Sequence, residues 1–120
     1  MNSWDYRYPR VVCASGFSMS VQAHDGAYCR PRANNAPKYM EVEVGFPSDA
    51  EPLLMEYCED KRDPTNTVYA YVPTQVVTNV IAKHGGMVEG EAPPGVVPLI
   101  ASRRKRSDPR FFPSPKIFLS

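Results

Sequence analysis

Proline limits where helices and strands can form in this chain more than any other feature of its sequence. Thirteen of the 120 residues are proline, and six of them fall in the last 28 residues. Because proline lacks a backbone N–H and has a fixed φ, it continues neither a helix nor a central strand. We therefore expect an N-terminal arm over residues 1–16, a compact body over residues 17–90, and an irregular, proline-rich, basic and aromatic C-terminal arm over residues 91–120.

Charge is divided unevenly between these parts. Residues 101–120 hold six Lys and Arg against one Asp, a net charge of +5, whereas residues 17–100 hold six Lys and Arg against eleven Asp and Glu, a net charge of −5. An acidic body therefore carries a basic arm. We expect that arm to be attracted to acidic protein surfaces, its own body included, as well as to polyanions.

Two segments have the alternation of a strand with one buried face. The positions expected to be buried are Phe17, Met19, Val21 and Ala23 in the first segment and Met40, Val42, Val44 and Phe46 in the second. In the second segment, Tyr39, Glu41 and Glu43 are expected to face solvent. This second segment is the clearest strand in the chain.

A hairpin is predicted directly after the first strand. Asp25-Gly26 is a dipeptide typical of the type I′ turn, in which both central residues need a positive φ. We therefore expect Tyr28 and Cys29 to begin a strand that returns along the first one.

Residues 48–60 allow two interpretations. Ser48 and Glu51 have the spacing of a capping box, and Pro52 fits the first turn, so a short helix is favoured. The same residues can instead form a strand that pairs with the next segment across residues 60–66. This second interpretation stays open.

The last part of the body predicts a strand and then a helix. Residues 67–72 are rich in β-branched and aromatic side chains, and Pro73 ends that strand. Val76, Val77, Val80 and Ile81 then share one helical face, and Gly85 follows the helix end. The predicted fold class is α+β: a small antiparallel sheet, a hairpin plus further strands, covered on one face by a helix near residues 73–84.

Cysteine usage and hydropathy indicate where the protein works. Cys13, Cys29 and Cys58 make an odd number, the N-terminus lacks a signal-peptide pattern, and no stretch approaches the roughly 18 apolar residues of a membrane span. We expect reduced thiols, no membrane contact and a cytoplasmic, intracellular location. These cysteines with His24 and His84 lack the spacing of a zinc site, so we expect no metal and no cofactor.

Three groups of residues resemble parts of a catalytic site: His24-Asp25, Glu41 with Glu43, and Cys58 beside two acidic residues. Neighbours on a tight turn point apart, and a solvated strand face explains the glutamates. Adjacent carboxylates disfavour a Cys58 thiolate. We therefore assign no catalytic residue, infer no small-molecule substrate, and expect the protein not to be an enzyme.

The residues expected to bind partners lie in the arms. They are Trp4, Tyr6 and Tyr8 at the front, and Phe111, Phe112, Ile117 and Phe118 at the back. Prolines reduce the ordering entropy that an extended arm loses on docking. The sequence thus predicts a non-enzymatic interaction protein, a small accessory or structural subunit that docks into a larger cellular or viral assembly. Its expected partner is another protein or a second copy of itself.

Nucleic-acid binding is the alternative function. The residues that favour it are Arg103, Arg104, Lys105, Arg106 and Arg110. Their charges neutralise phosphates, and the adjacent phenylalanines offer faces on which bases stack. The acidic body disfavours this alternative because it repels the same polyanion.

Overall fold

A computed structural model describes residues 7–101, and it has the predicted α+β architecture. Five antiparallel strands form one sheet in the order β4-β3-β2-β1-β5, accompanied by one α-helix. The strands are β1 (Val11–Cys13), β2 (Ser18–Gln22), β3 (Glu41–Gly45), β4 (Val68–Pro73) and β5 (Met87–Glu89). The helix α1 spans Thr74–Lys83, and a 3-10 helix spans Pro52–Tyr57.

The first hairpin of the sheet joins β1 to β2. Val11 pairs with Met19, and the connecting turn contains Gly16 at φ +98°. The other edge of β1 pairs with β5, so β1 is an internal strand although it falls within residues 1–16 of the sequence.

The alternation of apolar and polar residues predicts the buried positions correctly over most of β2 and β3. Phe17, Met19, Val21 and Ala23 are buried as predicted, and so are Val42 and Val44. The prediction fails at both ends of β3. There Met40 and Phe46 are 61% and 49% exposed, whereas Tyr39 is fully buried. Phe46 has φ +50°, which ends the strand and turns its side chain out of the alternation.

The predicted hairpin at Asp25-Gly26 is wrong. A turn does form, with the Ala27 N–H donating to the His24 carbonyl at 3.1 Å. The chain does not return along β2, because β3 occupies that edge and pairs Val44 with Val21. Residues 28–40 instead make an excursion that contacts the sheet through a bridge from Arg30 to Glu41 and a hydrogen bond from the Tyr71 N–H to the Tyr28 carbonyl. At that edge Val42 and Val44 of β3 are fully buried, whereas Tyr28 is 41% exposed.

Residues 48–60 combine features of both interpretations. The helix that forms is a 3-10 helix, and its N-cap is Glu51, whose carboxylate accepts from the Leu53 N–H at 2.8 Å. The capping box is therefore wrong, since the Ser48 hydroxyl accepts from the Ser18 N–H instead. After the helix, Cys58 forms a bridge to Tyr69 of β4, as the strand interpretation expected.

Helix α1 forms as predicted and ends in a Schellman motif. Val77, Val80 and Ile81 are buried, and the helix packs against β4 and the 3-10 helix. Past its end, the Gly86 N–H donates to the Ile81 carbonyl, and Gly85 has φ +90°.

Residues 90–97 follow β5 and contact Tyr39 and the α1 residue Thr78. The Tyr39 N–H donates to the Pro94 carbonyl at 2.9 Å, and the Val97 N–H donates to the Thr78 hydroxyl at 3.0 Å. Gly95, at φ +111°, lies so close to Tyr39 that a Cβ added there would stand 2.2 Å from its carbonyl oxygen. Residues 91–97 fall within the predicted range of the C-terminal arm, and Val96 among them belongs to the core with 7% exposure.

Candidate functional site

Of the residues predicted to contact partners, Tyr8 is the one within the described range 7–101. Its N–H donates to the Gln22 side-chain oxygen, and its carbonyl accepts from the Gln22 amide, both at 2.8 Å. Burial, aided by Tyr39 and Glu91, raises the pKa of the Tyr8 phenol. Tyr8 is thus held against the sheet. The predicted contacts outside the described residues are Trp4, Tyr6, Arg103, Arg104, Lys105, Arg106, Arg110, Phe111, Phe112, Ile117 and Phe118.

A cleft of about 340 Å³ lies on the open face of the sheet, opposite the side chains that enter the core. Its walls include Arg7, Gln22, His24, Glu43 and Phe46. Burial raises the pKa of Glu43 more than His24 and the nearby arginines lower it. The His24 Nδ1 accepts from the Gly26 N–H at 3.0 Å, which assigns the proton to Nε2 in the neutral ring. The cleft therefore offers hydrogen bonds of both kinds beside one carboxyl group.

A second surface is formed by Tyr28, Arg30, Arg32 and Tyr71, and we call it the tyrosine–arginine surface. The rings of Tyr28 and Tyr71 are tilted by 39°, with centroids 5.9 Å apart. The Arg30 Cζ lies 4.8 Å from the Tyr71 centroid, and the Arg32 Cζ lies 5.7 Å from the Tyr28 centroid. Both distances are within the range of a cation–π contact.

The backbone positions Tyr71 in an unusual way. Tyr71 has φ +53° beside an irregularity in the β3–β4 pairing, and its N–H donates to the Tyr28 carbonyl at 3.1 Å. A positive φ is rare for a bulky side chain, and such backbone strain occurs preferentially at functional sites. Arg30 is also fixed, because its Nε donates to the Glu41 carboxylate at 2.8 Å.

A chain of hydrogen bonds joins Ser15, His84 and Glu51. The Ser15 Oγ lies 3.0 Å from the His84 Nδ1, and the His84 Nε2 lies 2.7 Å from the Glu51 Oε1. Lys83 donates to the other Glu51 oxygen at 2.8 Å, and the Phe17 ring stacks on the imidazole with centroids 4.2 Å apart. The order of these groups is that of a nucleophile, a base and an orienting acid.

The turn that carries Ser15 lacks the rest of a hydrolytic site. The Ser15 and Gly16 N–H groups donate to the carbonyls of His84 and Cys13, so neither is left to stabilise an oxyanion. The Phe17 N–H donates to the Ser15 hydroxyl itself at 3.2 Å. The bonds instead join the end of α1, the β1–β2 turn and the start of the 3-10 helix.

Glu51 is the ionised centre of this chain of bonds. Burial alone would raise the pKa of its carboxyl group, but the hydrogen bonds from Lys83, the Leu53 N–H and His84 outweigh burial and hold the pKa below its usual value. Its side chain is 2% exposed, so its charge is offset by these partners rather than by water.

The outermost edge of the sheet carries exposed apolar residues. We call residues 97–101 the edge segment. Met87 of β5 bonds to the Leu99 carbonyl and the Ala101 N–H, in a parallel bridge centred on Ile100. This pattern turns the N–H and C=O of Ile100 away from β5. The side chains of Val97, Leu99 and Ile100 are 72%, 54% and 64% exposed.

Residues 7–101 show neither a metal-binding group nor a membrane-spanning helix. No three of the His, Cys, Asp and Glu side chains in residues 7–101 are grouped to hold a metal ion. Cys13, Cys29 and Cys58 are all unpaired, the first two of them buried. None of the helices formed by residues 7–101 combines the length and apolar character needed to cross a membrane.

No family model, curated protein or solved structure matches this chain. Inference about function therefore starts from the surfaces described above. Sequence reasoning missed the tyrosine–arginine surface, although the alternation of Tyr28, Arg30 and Arg32 is visible in "YCRPR". It had no signal for Tyr71, which joins them across the fold.

Proposed function

We propose that the protein is a non-enzymatic interaction protein, a small accessory or structural subunit that docks into a larger assembly through the ends of its chain. The observation that carries this proposal is the exposure of Val97, Leu99 and Ile100 on the edge segment. These residues come directly before the basic run 103–106 and the aromatic residues that follow it. A continuous stretch of chain thus offers apolar, basic and aromatic contacts in turn.

The proposed partner is another protein, or a second copy of the chain, that adds a strand to this edge. An outward-facing N–H and C=O on an exposed strand are a template for such pairing. Apolar side chains on the same strand add contact area that water would otherwise cover. Pro98 shortens the available edge, so the pairing is limited to a few residues.

The test compares the full chain with Ile100→Pro and, as a control, Leu53→Glu. Proline at position 100 removes the outward N–H while the Met87 bonds to Leu99 and Ala101 remain possible. Leu53 is another exposed apolar residue, 44% exposed on the 3-10 helix. If the partner is a second copy, we expect Ile100→Pro to lose the self-association that light scattering measures. If it is another protein, we expect Ile100→Pro to lose the partner that quantitative affinity capture recovers. The Leu53→Glu control should keep the interaction in both cases. Equal behaviour of all three chains would refute the proposal.

Nucleic-acid binding through the basic run is the second candidate function. Four consecutive basic residues, followed by Phe111 and Phe112, support it, because their charges neutralise phosphates and aromatic rings stack on bases. The test is filter binding of the full chain at two salt concentrations. Affinity should fall steeply with salt, by a log–log slope of about −0.7 to −0.9 per phosphate contacted. A chain that binds no nucleic acid at low salt does not have this function.

We also propose that the protein works in a reducing compartment, the cytoplasm. The three unpaired cysteines support this location, because disulfides form readily in oxidising compartments.

A further inference from the structure

We propose that the tyrosine–arginine surface is a binding site for single-stranded nucleic acid, in which a base stacks on Tyr28 and Arg32 pairs with a neighbouring phosphate. The inference goes beyond the docking function proposed above, which uses neither residue. It also places the contact on the body rather than on the basic run 103–106.

Charge favours a polyanion at this surface even though the body as a whole is acidic. Residues 26–40 carry Arg30, Arg32 and Lys38 without any acidic residue, a net charge of +3. The rest of residues 17–100 holds three Lys and Arg against eleven Asp and Glu, a net charge of −8. Arg30 is paired with Glu41 and Arg32 acts on the nearby Glu43, so this excursion of the chain repels a polyanion less than the average charge of the body suggests.

The geometry leaves Tyr28 available for stacking. Its side chain is 41% exposed, and the Arg32 guanidinium lies 5.7 Å from its centroid. That distance is near the limit of about 6 Å for a cation–π contact, so the guanidinium is weakly held. A base that displaces the guanidinium from the Tyr28 ring frees Arg32 to contact a phosphate. In single-strand binding sites, aromatic side chains stack on bases while basic side chains contact the phosphates.

On the opposite side of the surface, several contacts hold Tyr71 and Arg30 in place. Tyr71 is fixed by its bond to the Tyr28 carbonyl, and Arg30 is held between the Tyr71 ring and Glu41. A platform that is ordered before the ligand arrives loses little entropy on binding. Tyr71 has a positive φ at the irregularity in the β3–β4 pairing, and backbone strain of this kind occurs preferentially at functional sites.

A polyanion fits this surface better than a proline-rich peptide, the other ligand that paired aromatic rings attract. Arg30 is paired with Glu41, and Arg32 acts electrostatically on the nearby Glu43, but neither Arg32 nor Lys38 forms a salt bridge within residues 7–101. A neutral peptide would leave those two charges unused.

The experiment measures fluorescence anisotropy of the full chain with two labelled probes. One is an oligothymidylate of about ten nucleotides, a length within the usual range for one single-strand site. The other is an abasic oligonucleotide of equal length, which has the phosphates but no bases. We expect the wild-type chain to prefer the oligothymidylate, and Tyr28→Ala to weaken that binding about tenfold while leaving the abasic affinity unchanged. Arg32→Gln should weaken both.

Three variants serve as controls. Tyr28→Phe keeps the ring and should keep the preference. Leu53→Ala removes an exposed apolar side chain on the 3-10 helix, and Arg62→Gln removes a 95% exposed cation, so both should bind as the wild-type chain does. Thermal melts of each variant establish that it is folded.

Several outcomes would overturn the inference. They are equal affinity for the two probes, no binding at low salt, an unchanged preference in folded Tyr28→Ala, and equally tight binding of polyglutamate. Replacing residues 103–106 with serine tests the basic run separately. If that variant alone abolishes binding, the nucleic acid is held by the run and not by the body. None of these results bears on Ile100→Pro, which tests the docking function.

Discussion

The imidazole of His84 meets the carboxylate of Glu51 across 33 residues of sequence, with the His84 Nε2 2.7 Å from the Glu51 Oε1. Lys83 approaches the second carboxylate oxygen at 2.8 Å. Because Glu51 is also the N-cap of the 3-10 helix, one buried charge connects the end of α1 to the start of another element. The ionised form of Glu51 should therefore contribute to the stability of the whole fold.

Glu51→Gln should destabilise the protein at neutral pH, by on the order of 2 kcal/mol, because charged hydrogen bonds to a buried group are lost. The pKa of Glu51 is held below its ordinary value of 4.5, so the folded state binds fewer protons than the unfolded state in that range. The contribution is present above pH 4.5 and is lost as the pH falls through the folded pKa. Urea denaturation across this range should show the wild-type and variant stabilities converging in acid. A constant difference would contradict the prediction.

Glu43→Gln should have the opposite effect. Burial raises the pKa of Glu43 above 4.5, so the folded state binds more protons than the unfolded state, and stability falls as the pH rises through the folded pKa. The amide cannot ionise, and the variant should therefore be as stable as the wild-type protein or more stable at neutral pH. Urea denaturation over the same pH range measures the difference in free energy of unfolding between the variant and the wild-type protein. A clear loss of stability at neutral pH would mean that the Glu43 charge is stabilising in the cleft.

Gly95→Ala should be more destabilising than Gly16→Ala. Both glycines have a positive φ, +111° and +98°, so an alanine is strained at either position. At Gly16 nothing lies within 4 Å of the added Cβ, and we expect a loss of about 1–2 kcal/mol from backbone strain. At Gly95 the added Cβ also stands 2.2 Å from the Tyr39 carbonyl oxygen. Thermal melts of the two variants decide this, and equal melting temperatures would contradict it.

Once a partner is identified, the basic residues and the phenylalanines of the C-terminal arm should affect different rate constants, association and dissociation respectively. Replacing residues 103–106 with serine should slow association and flatten its salt dependence, because exposed charges mainly steer the encounter. Phe111→Ala or Phe118→Ala should speed dissociation, because a truncated aromatic anchor costs on the order of 2 kcal/mol at an interface hot spot. Surface-based kinetics separates the two effects. If only the serine variant loses binding, the arm is a purely electrostatic tether.

Local sequence patterns predicted the elements that are long and strictly periodic. The alternation around Val42 and the spacing of Val77, Val80 and Ile81 gave β3 and α1, since burial of one face determines both. β1 and β5 have three residues each, too few to show a period. Asp25-Gly26 predicted a turn correctly, but competition for the edge of β2 decided which strand pairs there.

The candidate sites were less predictable, because each depends on contacts between distant residues. Ser15 and His84 are 69 residues apart, and Tyr71 reaches Tyr28 only through an irregular strand with a positive φ. No local sequence pattern predicts that residues so far apart in the chain come into contact. By contrast, the exposed residues of the edge segment follow a proline-rich stretch, where the sequence already predicted irregular structure.

The chain leaves the described fold in the direction of the end of the sheet at which it enters. The Glu91 N–H donates to the Pro9 carbonyl at 3.3 Å, and residues 99–101 run parallel to β5 toward that point. If each terminus makes a weak contact with one partner, the first contact holds the second at an effective concentration in the millimolar range. The two weak contacts together then bind the partner bivalently, with an avidity that neither terminus has alone.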